Sequence, residues 1–174
     1  GLQELIHACD LLWNEGYNFQ LSLVGFIDNG NNSCLNKSEL KRLKLNKNIL
    51  ILGYIDNMKE VYEKADIVVL PSWREGLSKS LIEAASMECP IITTDTAGCR
   101  DVIDHAKNGL LVPVKSVDAL KLAIKFLLLN PKISLEFGRN AREKVEGEFD
   151  VSKINRLTLD VYDNLLQNNL NLNL

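Results

Sequence analysis

Two uninterrupted apolar runs, Ile49-Leu50-Ile51-Leu52 and Ile67-Val68-Val69-Leu70, narrow what this chain can fold into. A strand with one wet face alternates apolar and polar side chains. A run without alternation belongs to a strand covered on both faces, the habit of parallel sheets. Stretches of helical period separate the runs, so the chain reads as an α/β fold with one open, doubly wound parallel sheet.

The other elements follow from the same reading. Leu2, Leu5, Ile6, Cys9, Leu12 and Trp13 recur at helical spacing up to Gly16. Phe19 to Val24 reads as a strand stopping at Gly25, and Phe26 to Asn36 as loop. Lys37 to Leu45 forms a short polar helix, and Met58 to Ala65 another. A helix is predicted from Lys79 to Met87, a strand over Pro90 to Thr93 and a short one over Gly109 to Val112. Ser116 caps a strongly periodic helix that Pro131 ends, and Leu135 to Val145 is helical. Val151 to Leu166 forms the last helix, with Ile154, Leu157, Val161, Tyr162 and Leu165 on one face, and residues 168–174 fray.

A length of 174 residues allows one domain with a sizeable core. The charge of -3 excludes nucleic acid as an expected partner, and no run of Lys and Arg suggests a membrane stripe. Cys9, Cys34, Cys89 and Cys99 show no CxxC spacing and read as reduced thiols. No apolar run approaches the roughly 20 residues of a membrane span. Sequons at Asn31 and Asn36 read as chance matches in an Asn-rich stretch, and His7 and His105 as structural or surface residues.

The chemistry concentrates after the third strand. In open parallel sheets ligands bind beyond the carboxyl ends of the strands. There stand Gly25, Gly53, residues 71–78 and residues 94–98, which should line one crevice. Ser78 is placed to cap the helix from Lys79, leaving the amides of Ser80 and Leu81 exposed at its positive end, a ready phosphate site. Glu83, in the second turn, can accept hydrogen bonds from the hydroxyls of a ribose whose diphosphate rests on that helix start. From charge pattern alone, the plainer reading is an acid in the N-terminal half of a helix. Glu75, eight positions earlier, is by itself a loop charge paired with Arg74 or a carboxylate held over the crevice. Trp13 reads as core, and Trp73 borders the crevice.

Glu75-x7-Glu83 within PSWREGLSKSLIEA resembles the E-x7-E motif of retaining, nucleotide-sugar-dependent glycosyltransferases with the GT-B fold. LGYIDNMKEVYEKADIVVLPS before it and PIITTDTAGCRDVIDHAKNGLLVP after it resemble the neighbouring blocks, and the likeness covers residues 1–166. The nearest branch builds bacterial capsule, O-antigen and lipid-linked glycans. The resemblance implies a Rossmann-like donor-binding domain over residues 1–150, a crossover helix over 151–167 and a frayed tail. It implies Glu75 at the transferred sugar and near the reacting carbon, with Gly76, Leu77, Ser78 and the amides of Ser80 and Leu81 around the diphosphate. Glu83 would hold the ribose, the backbone at Tyr54 and Ile55 would meet the base, and Gly25 would let the donor pass close.

The same resemblance implies no metal cofactor and no protein nucleophile, with the leaving diphosphate met by the helix dipole and cations. Lys79 and Arg100 are the candidate cations in this stretch. The implied partners are a nucleotide-sugar, UDP-linked by resemblance, and a glycan or polyprenyl-diphosphate-linked acceptor. A third is an N-terminal acceptor domain expected to precede Gly1. The implied location is cytoplasmic, with any attachment peripheral at the inner face of the plasma membrane. Two departures stand out: Ser78 where relatives carry Pro, and Glu88 where they carry Gly. A nucleotide-binding fragment without activity, and an isomerase of the nucleotide-sugar 2-epimerase kind, are the alternatives.

Overall fold

In the computed structural model, residues 1–26 and 35–171 are described. In chain order these form α1 (Leu2–Asn14), β1 (Leu21–Val24), α2 (Lys37–Leu45), β2 (Ile49–Gly53), α3 (Lys59–Tyr62), β3 (Val68–Leu70) and α4 (Lys79–Ser86). They continue as β4 (Ile91–Thr94), α5 (Ala97–Val102), β5 (Leu110–Val112), α6 (Val117–Leu129), α7 (Pro131–Glu148) and α8 (Val151–Asn171). Every pairing is parallel, as expected for strands joined through helices. The strands fall into two hydrogen-bonded groups, β1-β2 and β3-β4-β5, rather than the single sheet expected.

Two apolar layers enclose β4. Ile92 faces the first, with Leu5, Ala8, Cys9 and Leu12 of α1 and Leu120, Ile124 and Leu127 of α6. Ile91 faces the second, with Leu81, Ala84 and Ala85 of α4, Cys99 and Val102 of α5, and Ala141 and Val145 of α7. Adjacent side chains point to opposite faces of a strand, so one apolar run feeds both layers. Glu15 fastens α1 to α6 through Lys121 at 2.5 Å and Lys125 at 2.9 Å.

The expectation of cover on both faces fails for the apolar run of β2. Ile49 and Ile51 pack toward Ile6 of α1 and Leu43 of α2, whereas Leu50, Leu52 and Val24 stand exposed on the opposite face. The run of β3 meets it: Ile67 and Val69 pack against the first layer and Val68 and Leu70 against the second, each half-buried. Apolar composition alone does not distinguish a strand with two covers from a strand with one.

Helix boundaries follow local chemistry. Asn36 caps α2 in a reciprocal box with Glu39, which accounts for that Asn without glycosylation. Ser116 accepts from the Ala119 amide at 3.2 Å and starts α6, as expected. Pro131 opens α7 directly at its first position, so this helix begins four residues earlier than predicted and runs to Glu148. The helix expected over 58–65 shrinks to α3, because Lys64 and Ala65 donate three residues back in tightened turns. Residues 94–98, read as loop, instead lead into α5. The fraying expected from 168 is not seen before Asn171, and residues 172–174 lie outside the described residues. Residues 27–34 of the expected loop, with Cys34 and the Asn31 sequon, do so as well. Cys9, Cys89 and Cys99 are buried free thiols. Trp13 stacks on Phe19 with ring centres 5.4 Å apart.

The last helix differs from all the others. Each described side chain from 151 to 166 is exposed, so the apolar face expected to be partly unpartnered is unpartnered along that whole length.

Candidate functional site

The loop leaving β3 is fixed by the strand beside it. Thr93 donates its hydroxyl to the Leu70 carbonyl at 2.8 Å, and Thr94 donates to the Ser72 carbonyl. Ser72 in turn donates to Glu75 Oε1 at 2.7 Å. Glu75 is half-buried, and its hydrogen-bond partner is this serine rather than the Arg74 of the plainer reading. The carboxylate is therefore held by a hydroxyl, and no cation among the described residues pairs with it. Beyond it Gly76 and Leu77 are exposed. Trp73 is also exposed, and Lys115 Nζ lies 4.3 Å from the centre of its ring.

Ser78 stands at the N-cap of α4, where expected, but its buried side chain makes no capping hydrogen bond. The helix closes its first turn with Ile82 N–H donating to the Ser78 carbonyl at 3.2 Å. Without a side-chain cap, the amides of Ser80 and Leu81 at the second and third positions stay available to an external acceptor. Leu81 is fully buried and anchors this turn against the second layer. Lys79 and Ser80 are exposed at the helix start. Arg100 is drawn to Asp95 at 2.8 Å, so this candidate cation has a carboxylate partner already.

Glu83 projects from the second turn of α4 and is exposed. Tyr62 stands behind it. This buried hydroxyl lies 3.2 Å from the Ser80 carbonyl and 3.5 Å from Glu83 Oε2. Burial, and then the Glu83 charge, push the phenol up to about 12, so it stays protonated and serves as a donor.

The remaining predicted residues gather at the ends of β1 and β2. Gly25 N–H donates to the Gly53 carbonyl at 2.8 Å, and both glycines adopt positive φ, 137° and 71°. Tyr54 is exposed, its hydroxyl 3.3 Å from Asp56 Oδ1, and Ile55 is half-buried. The structure thus forms two groups, Gly25 with residues 53–55 and residues 72–83 with one another, and Tyr62 links the β2–α3 segment to α4. His105 accepts from the Leu111 amide at 3.0 Å, a structural role as expected, and His7 is exposed. A cavity of about 340 Å³ between α1 and α2 and another of about 670 Å³ beside α6 and α7 lie away from Glu75 and α4.

Sequence reasoning missed Tyr62, and it placed Ser72, Thr94 and Gly98 at the crevice without their contacts to one another. From the sequence, Tyr62 falls in a short helix, Thr93 ends a strand and Thr94 opens a loop. Their roles come from partners distant in sequence.

Residues 1–144 match the family profile described as Glycosyl transferases group 1. This chain belongs to that family. Among its curated group 1 relatives, the capsular polysaccharide biosynthesis glycosyltransferase CapM of Staphylococcus aureus is 28% identical over 149 residues, 86% of this chain and 39% of CapM. The N,N'-diacetylbacillosaminyl-diphospho-undecaprenol alpha-1,3-N-acetylgalactosaminyltransferase of Campylobacter jejuni is 32% identical over 117 residues, 67% of this chain and 31% of that enzyme. The chain thus spans less than half the length of these relatives. In fold it is similar to Anabaena HepE, whose crystal structure holds UDP, with a TM-score of 0.83 at 20% identity over 94% of this chain and 45% of HepE. Such neighbours are GT-B glycosyltransferases, and the Rossmann-like α/β fold with parallel strands between helices is the one expected.

Proposed function

We propose that this chain is the donor-binding half of a retaining glycosyltransferase that moves a sugar from UDP to a glycan or lipid-linked acceptor in polysaccharide biosynthesis. The observation that carries the reading is the junction of loop and helix over residues 72–83. There a carboxylate fixed by a hydroxyl precedes an uncapped helix start and a second carboxylate one turn further on. The diphosphate rests on the amides of Ser80 and Leu81, beside Gly76, Leu77 and Ser78, where the helix dipole favours negative charge. Glu83 takes the ribose hydroxyls, and Tyr54 and Ile55 flank the base. Gly25 leaves room for the donor.

Glu75 is the catalytic residue of the proposal, set against the transferred sugar. As the bond from the anomeric carbon to the diphosphate breaks, positive charge grows on the sugar and negative charge on the leaving oxygen. Glu75 meets the first and the α4 terminus, with Lys79, the second, without a metal ion. The incoming acceptor hydroxyl attacks from the side the diphosphate leaves, which retains configuration, and its proton passes to the departing diphosphate oxygen. A second domain ahead of Gly1 supplies the acceptor site and covers the apolar face of α8. The HepE–UDP complex and the undecaprenol-linked chemistry of the Campylobacter relative support the donor and acceptor classes.

Calorimetric titration of UDP tests the donor site. Glu83→Ala is expected to weaken binding at least tenfold, a loss of about 1.4 kcal/mol. Equal binding by both forms removes Glu83 from the ribose. Tighter binding of GDP than UDP would change the donor class.

A further inference from the structure

We infer that residues 93–98, the end of β4 and the first turn of α5, are the template that sets the position of the Glu75 carboxylate, with Gly98 as its main positioning residue. The inference rests on the reading of Glu75 as the group facing the transferred sugar.

The template grips the loop at three successive points. Thr93 holds the Leu70 carbonyl, Thr94 holds the Ser72 carbonyl, and Gly98 lies directly against the Gly76 peptide. A Cβ added at Gly98 would overlap the Gly76 carbonyl oxygen and sit 2.9 Å from that of Glu75. The carbonyls on either side of the Glu75–Gly76 bond therefore rest on bare α5 backbone. Glycine is disfavoured in a helix relative to alanine, so its place in a six-residue helix needs a packing reason, and this contact is that reason.

The grip transmits to the carboxylate. Thr94 fixes Ser72, whose hydroxyl holds Glu75 Oε1 at 2.7 Å, while Gly98 sets the backbone on the far side. The support is rigid: Thr93, Thr94 and Cys99 are essentially inaccessible, and Thr93 also reaches Cys99 Sγ at 3.1 Å. The gripped side of the loop is thus core and the other is open: Gly76 is exposed and has no atom within 4 Å of where its own Cβ would stand. Catalytic geometry tolerates little displacement, so a template of this kind belongs under a reacting carboxylate.

The test uses this chain with UDP and a panel of UDP-glucose, UDP-N-acetylglucosamine and UDP-N-acetylgalactosamine. Each UDP-sugar's affinity is compared with that of UDP, and the sugar with the largest difference is followed. Gly98→Ala and Thr94→Val are expected to shrink that difference at least fivefold, as Glu75→Gln does, with UDP affinity within twofold. Thr94→Ser, which keeps the hydroxyl, restores it. Should Gly98→Ala fail to fold, the Thr94 pair decides alone.

Gly98→Ala and Thr94→Val keeping the full difference while Glu75→Gln loses it would overturn the inference and leave the site reading standing. Loss of UDP affinity and the sugar difference together in a folded variant would also overturn it, as a general structural effect. No sugar-dependent difference in the unsubstituted chain, or one that survives Glu75→Gln, removes Glu75 from the sugar. No UDP binding at all removes the donor site, and in each of these cases the inference falls with it.

Discussion

A buried hydroxyl beside a carboxylate and a backbone carbonyl can donate its single proton to one of them at a time. For Tyr62 the nearer acceptor is the Ser80 carbonyl, at 3.2 Å against 3.5 Å for Glu83. The bond therefore ties α3 to the first turn of α4 and leaves Glu83 most of its accepting capacity. Removing it with Tyr62→Phe should cost about 0.5–1.5 kcal/mol of stability, the usual net value of such a bond. UDP affinity should fall two- to fivefold as the helix start loosens. Urea unfolding and calorimetry read the two effects separately, and unchanged affinity would show that α4 alone orients its amides. The thiols make a prediction of opposite pH sense to a paired carboxylate. Burial pushes Cys9 up to about 12 and Cys89 up to about 11. The unfolded chain loses these protons first, near the ordinary thiol value of about 8.5. Their contribution is complete below that pH and is lost as pH rises toward the folded values, by at most about 1.4 kcal/mol per pH unit for each thiol. Unfolding under reducing conditions at pH 8 and pH 10 should show the decline, and Cys89→Ala should make it shallower.

Among the helices, α4 carries a visible conflict at its far end. After Met87 the chain turns at Glu88 with φ +58°, a conformation that costs a side chain about 1–2 kcal/mol. The turn cannot relax toward α7, because a Cβ at Gly138 would overlap the Glu88 carbonyl oxygen. The Glu88 side chain pairs with Arg142 at 3.6 Å, an exposed contact worth about 0–1 kcal/mol. Strain exceeds the pair, so Glu88→Gly should raise the melting temperature by about 2–4 °C. Gly138→Ala should lower it by more, and a fall in Glu88→Gly would mean that the Arg142 pair outweighs the strain. This turn was legible in the sequence as a departure from a familiar glycine, and the periodicity of α6 and the spacing of Glu75 and Glu83 were equally plain. What escaped is tertiary in origin. Gly98 reads as a loop residue until the Gly76 carbonyl is seen against it. An apolar run such as Ile49 to Leu52 looks the same whether one face or two are covered.

At the scale of the whole molecule, α8 stands apart from both apolar layers. Its start is held by Asp150, which accepts from the Ser152 and Lys153 amides at 2.9 and 3.2 Å, and Lys153 Nζ reaches back to the Gly147 carbonyl. Neither layer contains a residue from α8. Ile154, Leu157, Val161, Tyr162 and Leu165 recur at helical spacing and stay 43–59% exposed, a contiguous stripe of a kind that marks a contact surface. Helix propensity alone gives little stability to such an element in water, so the stripe seeks cover. Deleting residues 151–174 should therefore shift the melting temperature by no more than about 2 °C, corresponding to roughly 0.5–1 kcal/mol at this size. With no second domain over the stripe, the chain is expected to self-associate as its concentration rises, and the same deletion to abolish this, read by sedimentation velocity. A large drop in melting temperature or a loss of cooperativity would show that α8 supports the core. Association that persists without α8 would move the sticky surface elsewhere, and the exposed face of Leu50, Leu52 and Val24 on β1-β2 is then the next surface to substitute.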